Sequence, residues 1–483
     1  MTAVTVGHSR HRWQTLAVVG TAFFMTVLDV SIVNVALPSI GRSLRVGDRG
    51  LQWVLIAYAL TFGGFLLLGG RAADLLGRRR VFAVGLALFT LASLTCGLAG
   101  SLGVLVASRA VQGLGAAIIS PAALSIVTTA FEEGAERNKA LGIWGALGGS
   151  GAAVGVLAGG VITKWLGWSW IFFVNVPVGA VVSVLTFLIV RESRVETAQR
   201  HFDPLGALTA TGSLLAVVYA ISKAPDVGWS SARTIALLVA GAALLALFLA
   251  IESRVAQPLM PLRIFRIRTV AGANAVGFLL GAVIFADFFV LTLYVQQVLG
   301  WSALKTGVTF LATAGTTVLF AGLAQALVTR LGARAVMTTG LLLLAGALAF
   351  YTRISVHGSY AADLLPGYLV FAGGLAFSFI PVSIAALAGV EAHDAGLASG
   401  LINTNQQVGG AVGVAVASTI VSSRFASLVH SGHSQAAALT DGFQAAFWLL
   451  TAIALVAAAV ALAFVRVRRS QEAPSVETAE AGA

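Results

Sequence analysis

FFMTVLDVSIVNVALPSI, residues 23–40, decides how the chain is read. It sits in an apolar run long enough to cross a bilayer, since about 20 helical residues span the hydrocarbon. Asp29 and Asn34 interrupt that run. A carboxylate at such depth is costly unless a partner or water meets it, so Asp29 marks a site rather than filler.

The rest of the chain has the same character. Of its 483 residues 58% are hydrophobic and 10% charged, with a mean hydropathy of +0.93. Soluble proteins carry about 25% charged residues, so this composition describes an all-α integral membrane protein. The 54 glycines fit, because small residues let membrane helices approach closely. A net charge of +11 would suggest nucleic acid in a soluble protein; here the basic residues lie in short loops, and no nucleic-acid partner is expected. The single cysteine, Cys96, excludes an intramolecular disulfide. The first apolar run is too long for a signal peptide and is expected to remain as a span.

Apolar runs place spans near 14–38, 51–69, 81–100, 103–128, 140–163, 169–190, 205–223, 233–251, 270–294, 306–328, 335–352, 362–388, 398–421 and 443–465. With the first end inside, 20 of the 30 Lys and Arg residues fall in cytoplasmic loops or tails and nine in outer loops; Arg109 alone lies within a span. That asymmetry predicts fourteen helices with both termini cytoplasmic.

The spans also repeat. Asp29 in the first is echoed by Asp287 in the ninth, and GRAADLLGRRR (70–80) by AQALVTRLGARA (324–335). Gly-rich GALGGSGAAVGVLAGG (145–160) is echoed by GLINTNQQVGGAVG (400–413). The organisation expected is a tail 1–13, a six-helix bundle 14–190, a linker 191–269 holding two extra helices, a second bundle 270–465, and a disordered acidic tail 466–483.

Five stretches resemble the major facilitator superfamily, in particular its fourteen-span drug:proton antiporter branch. LDVSIVNVALPSI (28–40) is similar to that branch's first-helix signature, and GRAADLLGRRR to the superfamily's loop motif. LVASRAVQGLGAA (105–117) resembles the fourth-helix motif through Arg109, Gln112 and Gly113. GAAVGVLAGG (151–160) resembles the fifth-helix antiporter motif through Gly151, Gly155, Gly159 and Gly160, with Val156 where proline is usual; its glycine face is expected to pack closely against a partner helix in the opposite half. WSWIFFVNVPVG (168–179) resembles a sixth-helix signature. The resemblance implies two six-helix bundles plus two extra helices, alternating access, and export of drugs, antibiotics or other hydrophobic or cationic small molecules against protons. It further implies a monomer in contact with lipid in the bacterial plasma membrane, not an enzyme. An importer or symporter on the same scaffold is the alternative.

Physical reading of the residues sharpens these expectations. Gly70 and Gly77 permit a tight turn, Asp74 can cap a helix or pair with arginine, and Arg78 and Arg79 face the anionic leaflet; together they are expected to act as a gating loop. Asp29 lies roughly 12–14 Å, and Arg109 about 9 Å, below the outer ends of their helices at 1.5 Å per residue. The depths are compatible with a pair. Asp287 has no basic neighbour in sequence, and burial disfavours a carboxyl's charged form, as a reversible proton carrier requires. Asp29, Arg109 and Asp287 are therefore expected to couple protons. Asn34, Gln112, Tyr294, Gln296, Gln297, Asn403, Asn405 and Gln406 are expected to face a substrate pocket, because amides are poorly tolerated toward lipid. There is no GxxxxGK stretch. No metal or cofactor is expected, the proton gradient being the energy source.

Overall fold

The computed structural model describes residues 3–131, 135–193, 203–255, 258, 262–390 and 395–465. In chain order its long helices are α1 (Ala3–Leu44), α2 (Asp48–Leu76), α3 (Arg78–Gly97), α4 (Leu102–Ala130), α5 (Ala135–Trp165), α6 (Trp170–Ile189) and α7 (Pro204–Val227). They continue as α8 (Ala232–Glu252), α9 (Arg268–Val298), α10 (Ala303–Leu331), α11 (Ala333–Tyr351), α12 (Tyr360–Leu387), α13 (Ala395–His430) and α14 (Gln435–Phe464). Among the described residues twelve helices are long and apolar enough to cross a membrane. Helices α2 and α5, of 29 and 31 residues, pack among them. The first helix begins at Ala3, inside the stretch expected as a tail. The expected acidic tail, 466–483, lies outside the described residues.

Local chemistry sets the helix ends. Ser101, Ser302 and Ser434 accept hydrogen bonds from the backbone N–H of Val104 (3.4 Å), Lys305 (3.2 Å) and Ala437 (3.3 Å), capping α4, α10 and α14. Gly77 (φ +104°) and Gly332 (φ +85°) end α2 and α10 in a conformation that a side chain would strain. These two glycines sit at the same place in the echoed loops. In α6 the helix breaks at Val174 and restarts at Asn175, because Pro177 has no N–H to offer Phe173. The last turn of α9, Tyr294–Val298, is a π-turn.

The repeat read from sequence is a repeat of packing. Contacts α1–α5, α2–α4, α3–α4, α3–α6 and α1–α6 in the N-terminal half recur as α9–α13, α10–α12, α11–α12, α11–α14 and α9–α14 in the other. The halves meet chiefly through α2 against α13 and α5 against α10, while the α7–α8 hairpin leans on α2 and α13, one helix from each half. Thr419 donates to the carbonyl of Ile221 (3.4 Å), and Arg49 pairs with Asp226. One buried apolar cluster runs through both halves and includes Ile32 to Ile40 of α1, Leu51 to Leu60 of α2, and Leu280 to Val295 of α9. A second, from Leu16 to Met25 of α1 through Ile126 and Val127 of α4 to Val190, belongs to the N-terminal half alone. The two halves thus share a core at the end away from the chain termini.

The glycine face of α5 corrects one expectation. Its partner was expected in the opposite half, yet a Cβ on Gly151, Gly155 or Gly159 would lie 3.3, 2.7 or 2.8 Å from the carbonyl oxygens of Phe24, Leu28 or Ile32, all in α1. Only Gly160 of the four meets the other half, 2.8 Å from the Ala303 oxygen, and Gly307 of α10 returns the contact against the Val156 oxygen at 2.6 Å. In the C-terminal half Gly409 and Gly413 press on the carbonyls of Phe278 and Ala282 in the same way. Adding carbon at such a contact forces the helices apart at about 1–3 kcal/mol or more. Gly409→Val is therefore expected to lower the melting temperature of the purified protein, whereas Gly322→Ala, where an added Cβ meets nothing within 4 Å, leaves it unchanged in a thermal-shift assay.

Candidate functional site

Asp29 and Arg109 meet. Arg109 donates to Asp29 Oδ2 at 2.5 Å, and the two side chains are 1% and 0% exposed, Arg109 first. Charges this deep cost several kcal/mol each unless their remaining bonds are satisfied. Here they are. Asp29 Oδ1 accepts from Gln112 Nε2 (2.9 Å) and Asn175 Nδ2 (3.0 Å). Arg109 donates further to Gln112 Oε1 (2.7 Å) and, through Nε, to the Val54 carbonyl (3.1 Å). Ser93 accepts from both amides (3.2 and 3.1 Å) and passes its own proton to the Phe172 carbonyl (2.9 Å). The cluster draws on α1, α2, α3, α4 and α6, so it fastens the N-terminal half together.

Tyr58 of α2 covers the guanidinium, its ring centroid 4.2 Å from Cζ, a cation–π contact of about 2 kcal/mol when desolvated. Beyond Tyr58 lies the seam. A gap of about 10 Å³, the room of one water, is bounded by Val30, Leu55, Tyr58 and Arg109 on one side and by Phe285, Gly410 and Val414 on the other. Nearer the joined end, Gln296 of the π-turn donates to the Val35 carbonyl of α1 at 2.8 Å, a bond between the halves. A larger cleft of about 510 Å³ opens at the terminal end of the N-terminal half, between α1, α4 and α6, with His11, Arg12, Thr129 and Arg191 on its wall.

The structure sorts the expected pocket residues. Gln112 is part of the ion-pair cluster. Asn34 is 8% exposed and donates to the Val30 carbonyl (2.9 Å), while its Oδ1 is buried without a hydrogen-bond partner. Tyr294 is fully buried, its hydroxyl donating to the Ser355 carbonyl (2.7 Å) within the C-terminal half. Gln297 is exposed, and its neighbour Gln296 makes the contact between halves. Asn403 is exposed; Asn405 donates to Asn274 Oδ1 in α9 (2.7 Å), tying two helices of one half. Gln406 is 9% exposed and packs on Gly281, its Nε2 without a partner. Asp287 is not brought to the Asp29 cluster: it lies inside the C-terminal half, 2% exposed, with Oδ1 lacking a hydrogen-bond partner.

At the loop between α2 and α3 the acid that meets the arginines is Glu192, beyond α6. Its carboxylate lies 3.8 Å from Arg79 and 3.6 Å from Arg80, and accepts from the Arg79 N–H at 3.0 Å. The Arg78 N–H donates to the Ser193 carbonyl (2.9 Å), and its guanidinium reaches Thr129. Gly70 packs against Pro121, and a Cβ on Gly77 would collide with Glu192 at 2.8 Å. The side chain of Asp74 lies outside the described residues.

Sequence reasoning missed Ser93, Asn175 and Glu192. Asn175 carried a signal, as a polar residue beside a proline within an apolar span. Two outcomes follow. Arg109→Met strands the Asp29 charge and is expected to cost about 3–5 kcal/mol, seen as a lower melting temperature, with Asp29→Asn in the same chain recovering part of the loss. Glu192→Gln removes a pair about one quarter exposed, worth at most about 1 kcal/mol. It should leave the melting temperature nearly unchanged while speeding amide hydrogen exchange at Arg79.

Comparison with known proteins agrees with this architecture. Residues 19–414 match the family model of the Major Facilitator Superfamily. The chain is 40% identical over 443 residues, 91% of its length and 88% of the relative's, to the puromycin resistance protein pur8 of Streptomyces alboniger. It is 38% identical over 413 residues (86% and 76%) to the multidrug resistance protein Stp of Mycobacterium tuberculosis, and 40% over 410 residues (83% and 84%) to the cephamycin export protein CmcT of Amycolatopsis lactamdurans. Among solved structures, an auto-inhibited POT family peptide transporter superposes with a TM-score of 0.69 at 17% identity, over 95% of this chain and 99% of that one. With its paired helical halves, buried charges and matched relatives, the chain belongs to the Major Facilitator Superfamily and is a membrane transporter.

Proposed function

We propose that this transporter exports antibiotics or other hydrophobic or cationic small molecules in exchange for protons, by rocking its two halves about the seam. The observation that carries the reading is the charge cluster set one tyrosine away from a seam between repeated halves joined at one end. The names of the relatives, resistance and export proteins, support a drug substrate. The reading places fourteen helices across the bacterial plasma membrane, α2 and α5 included, with both termini cytoplasmic and the chain acting as a monomer. On that orientation the joined end faces outward. A gap of about 10 Å³ cannot hold a drug, whose pockets run to about 300–1,000 Å³, so substrate binds only where the halves part.

The energy suffices without a cofactor. One proton moving through 100 mV releases about 2.3 kcal/mol, roughly a forty-fold concentration ratio. Asp29, Arg109 and Asp287 are the charged groups set within the spans, and a change of protonation among them shifts the balance between states. In everted membrane vesicles with an imposed proton gradient, addition of puromycin or ethidium is expected to release protons from the lumen as the drug enters it. Drug uptake into intact cells down the proton gradient, or transport indifferent to an uncoupler, would contradict the reading.

A further inference from the structure

The two halves carry different chemistry at matching positions. Against α3, a Cβ on Gly115 of α4 would lie 2.7 Å from the Phe89 nitrogen and 3.0 Å from the Gly85 oxygen. Against α11, a Cβ on Gly374 of α12 would lie 2.8 Å from both the Leu344 nitrogen and the Gly340 oxygen. This shared contact fixes the register. Arg109 stands six residues before Gly115, and Tyr368 six before Gly374; Cys96 stands nineteen after the loop glycine Gly77, and Tyr351 nineteen after Gly332. Tyr368 therefore occupies the place of Arg109, and Tyr351 that of Cys96. Asp287 lies on α9, the counterpart of α1, eleven residues before its end where Asp29 lies fifteen before the end of α1.

Where the N-terminal half neutralises its acid with an arginine and two amides, the C-terminal half offers two phenols. Tyr351 and Tyr368 are 0% and 1% exposed, their ring centroids 6.1 Å apart, and Asp287 lies within electrostatic range of both. Phe447 and Phe310 close over them at 5.2 and 5.4 Å. The Tyr351 hydroxyl and Oδ1 of Asp287 lack hydrogen-bond partners among the described residues, and the Tyr368 hydroxyl has the Thr309 side chain beside it. The titratable groups facing Asp287 are these two tyrosines, from α11 and α12. Tyr294 and Tyr360 stand behind them. Lys305 lies at an end of α10, Arg424 and Asp441 pair with each other at the outer ends of α13 and α14, and Asp29 of α1 is held by Arg109. Among the described residues no cation pairs with this carboxyl, and a proton is what remains to neutralise it.

We propose that Asp287, with the hydroxyls of Tyr351 and Tyr368, is the proton-exchange site of the cycle, and that Asp29 keeps its charge throughout. The assignment rests on the proton-coupled reading and narrows it. In the state open to the outside a proton from water joins the Asp287 carboxylate; in the state open to the cytoplasm the same O–H bond breaks and the proton leaves to water. No other bond changes. While the carboxylate is bare, the Tyr351 and Tyr368 hydroxyls can turn to donate to it, which makes its transient charge tolerable.

The test needs no known drug for its first arm. Infrared difference spectra of the purified full chain in lipid nanodiscs, recorded across a pH change, are expected to show the C=O stretch of one protonated membrane carboxyl. That band should vanish in Asp287→Asn and persist in Asp29→Asn. In proteoliposomes, Tyr351→Phe and Tyr368→Phe are each expected to slow ethidium-driven proton release about tenfold, the size of one charge-assisted hydrogen bond. These milder variants carry the test if Asp287→Asn does not fold. A band absent from the wild type, or lost in Asp29→Asn and kept in Asp287→Asn, overturns the assignment, as do phenylalanine variants that release protons at the wild-type rate. Wild-type ethidium export that ignores the proton gradient overturns instead the coupled reading on which the assignment stands.

Discussion

The buried contact between Asp29 and Arg109 is the constraint around which the N-terminal half is arranged. Two charges at that depth are tolerable only where hydrogen bonds answer them, and the answers come from five helices. Gln112 must sit one turn beyond Arg109, Ser93 must face them both, and Asn175 of α6 must reach inward. The glycines of α5 serve the same end from outside, letting that helix press on the α1 backbone on either side of Asp29.

The other half keeps the frame and changes the contents. Its helix pairs, loop glycine and small-residue contacts repeat those of the first half, yet phenols stand where the arginine and cysteine were. One half is locked by charge, and the other holds an acid that nothing locks. The seam between them is apolar and tight at mid-height, bridged toward the joined end by Gln296, and flanked by the α7–α8 hairpin that touches both sides.

Much of this was legible in the chain. Helix depth alone placed Asp29 and Arg109 at compatible levels, and the echo of GRAADLLGRRR in AQALVTRLGARA announced two loops that the structure builds on the same positive-φ glycine. What sequence could not show is which neighbour a given face meets. Gly151, Gly155 and Gly159 form a recognisable stripe, but a stripe does not name its partner, and α1 rather than α10 proved to be it. Asn405 looked like a pocket residue because an amide avoids lipid; an amide on Asn274 satisfies it equally well. Glu192 was invisible because its link to Arg79 joins residues 113 apart across the end of the bundle. Tyr351 and Tyr368 read as ordinary aromatics until the repeat set them opposite Cys96 and Arg109.

Alternating access requires the two halves to rock as bodies about their seam, which is closed here at the end away from the termini. Spin labels at K164C and K305C, on either side of the α5–α10 contact, report that end directly, and Cys96 is buried away from the labelling reagent. Electron–electron distance measurements in lipid nanodiscs should show a short separation that gains a second, longer population when ethidium or a pH change is applied. A single short distance under every condition, in protein that transports, would contradict the account.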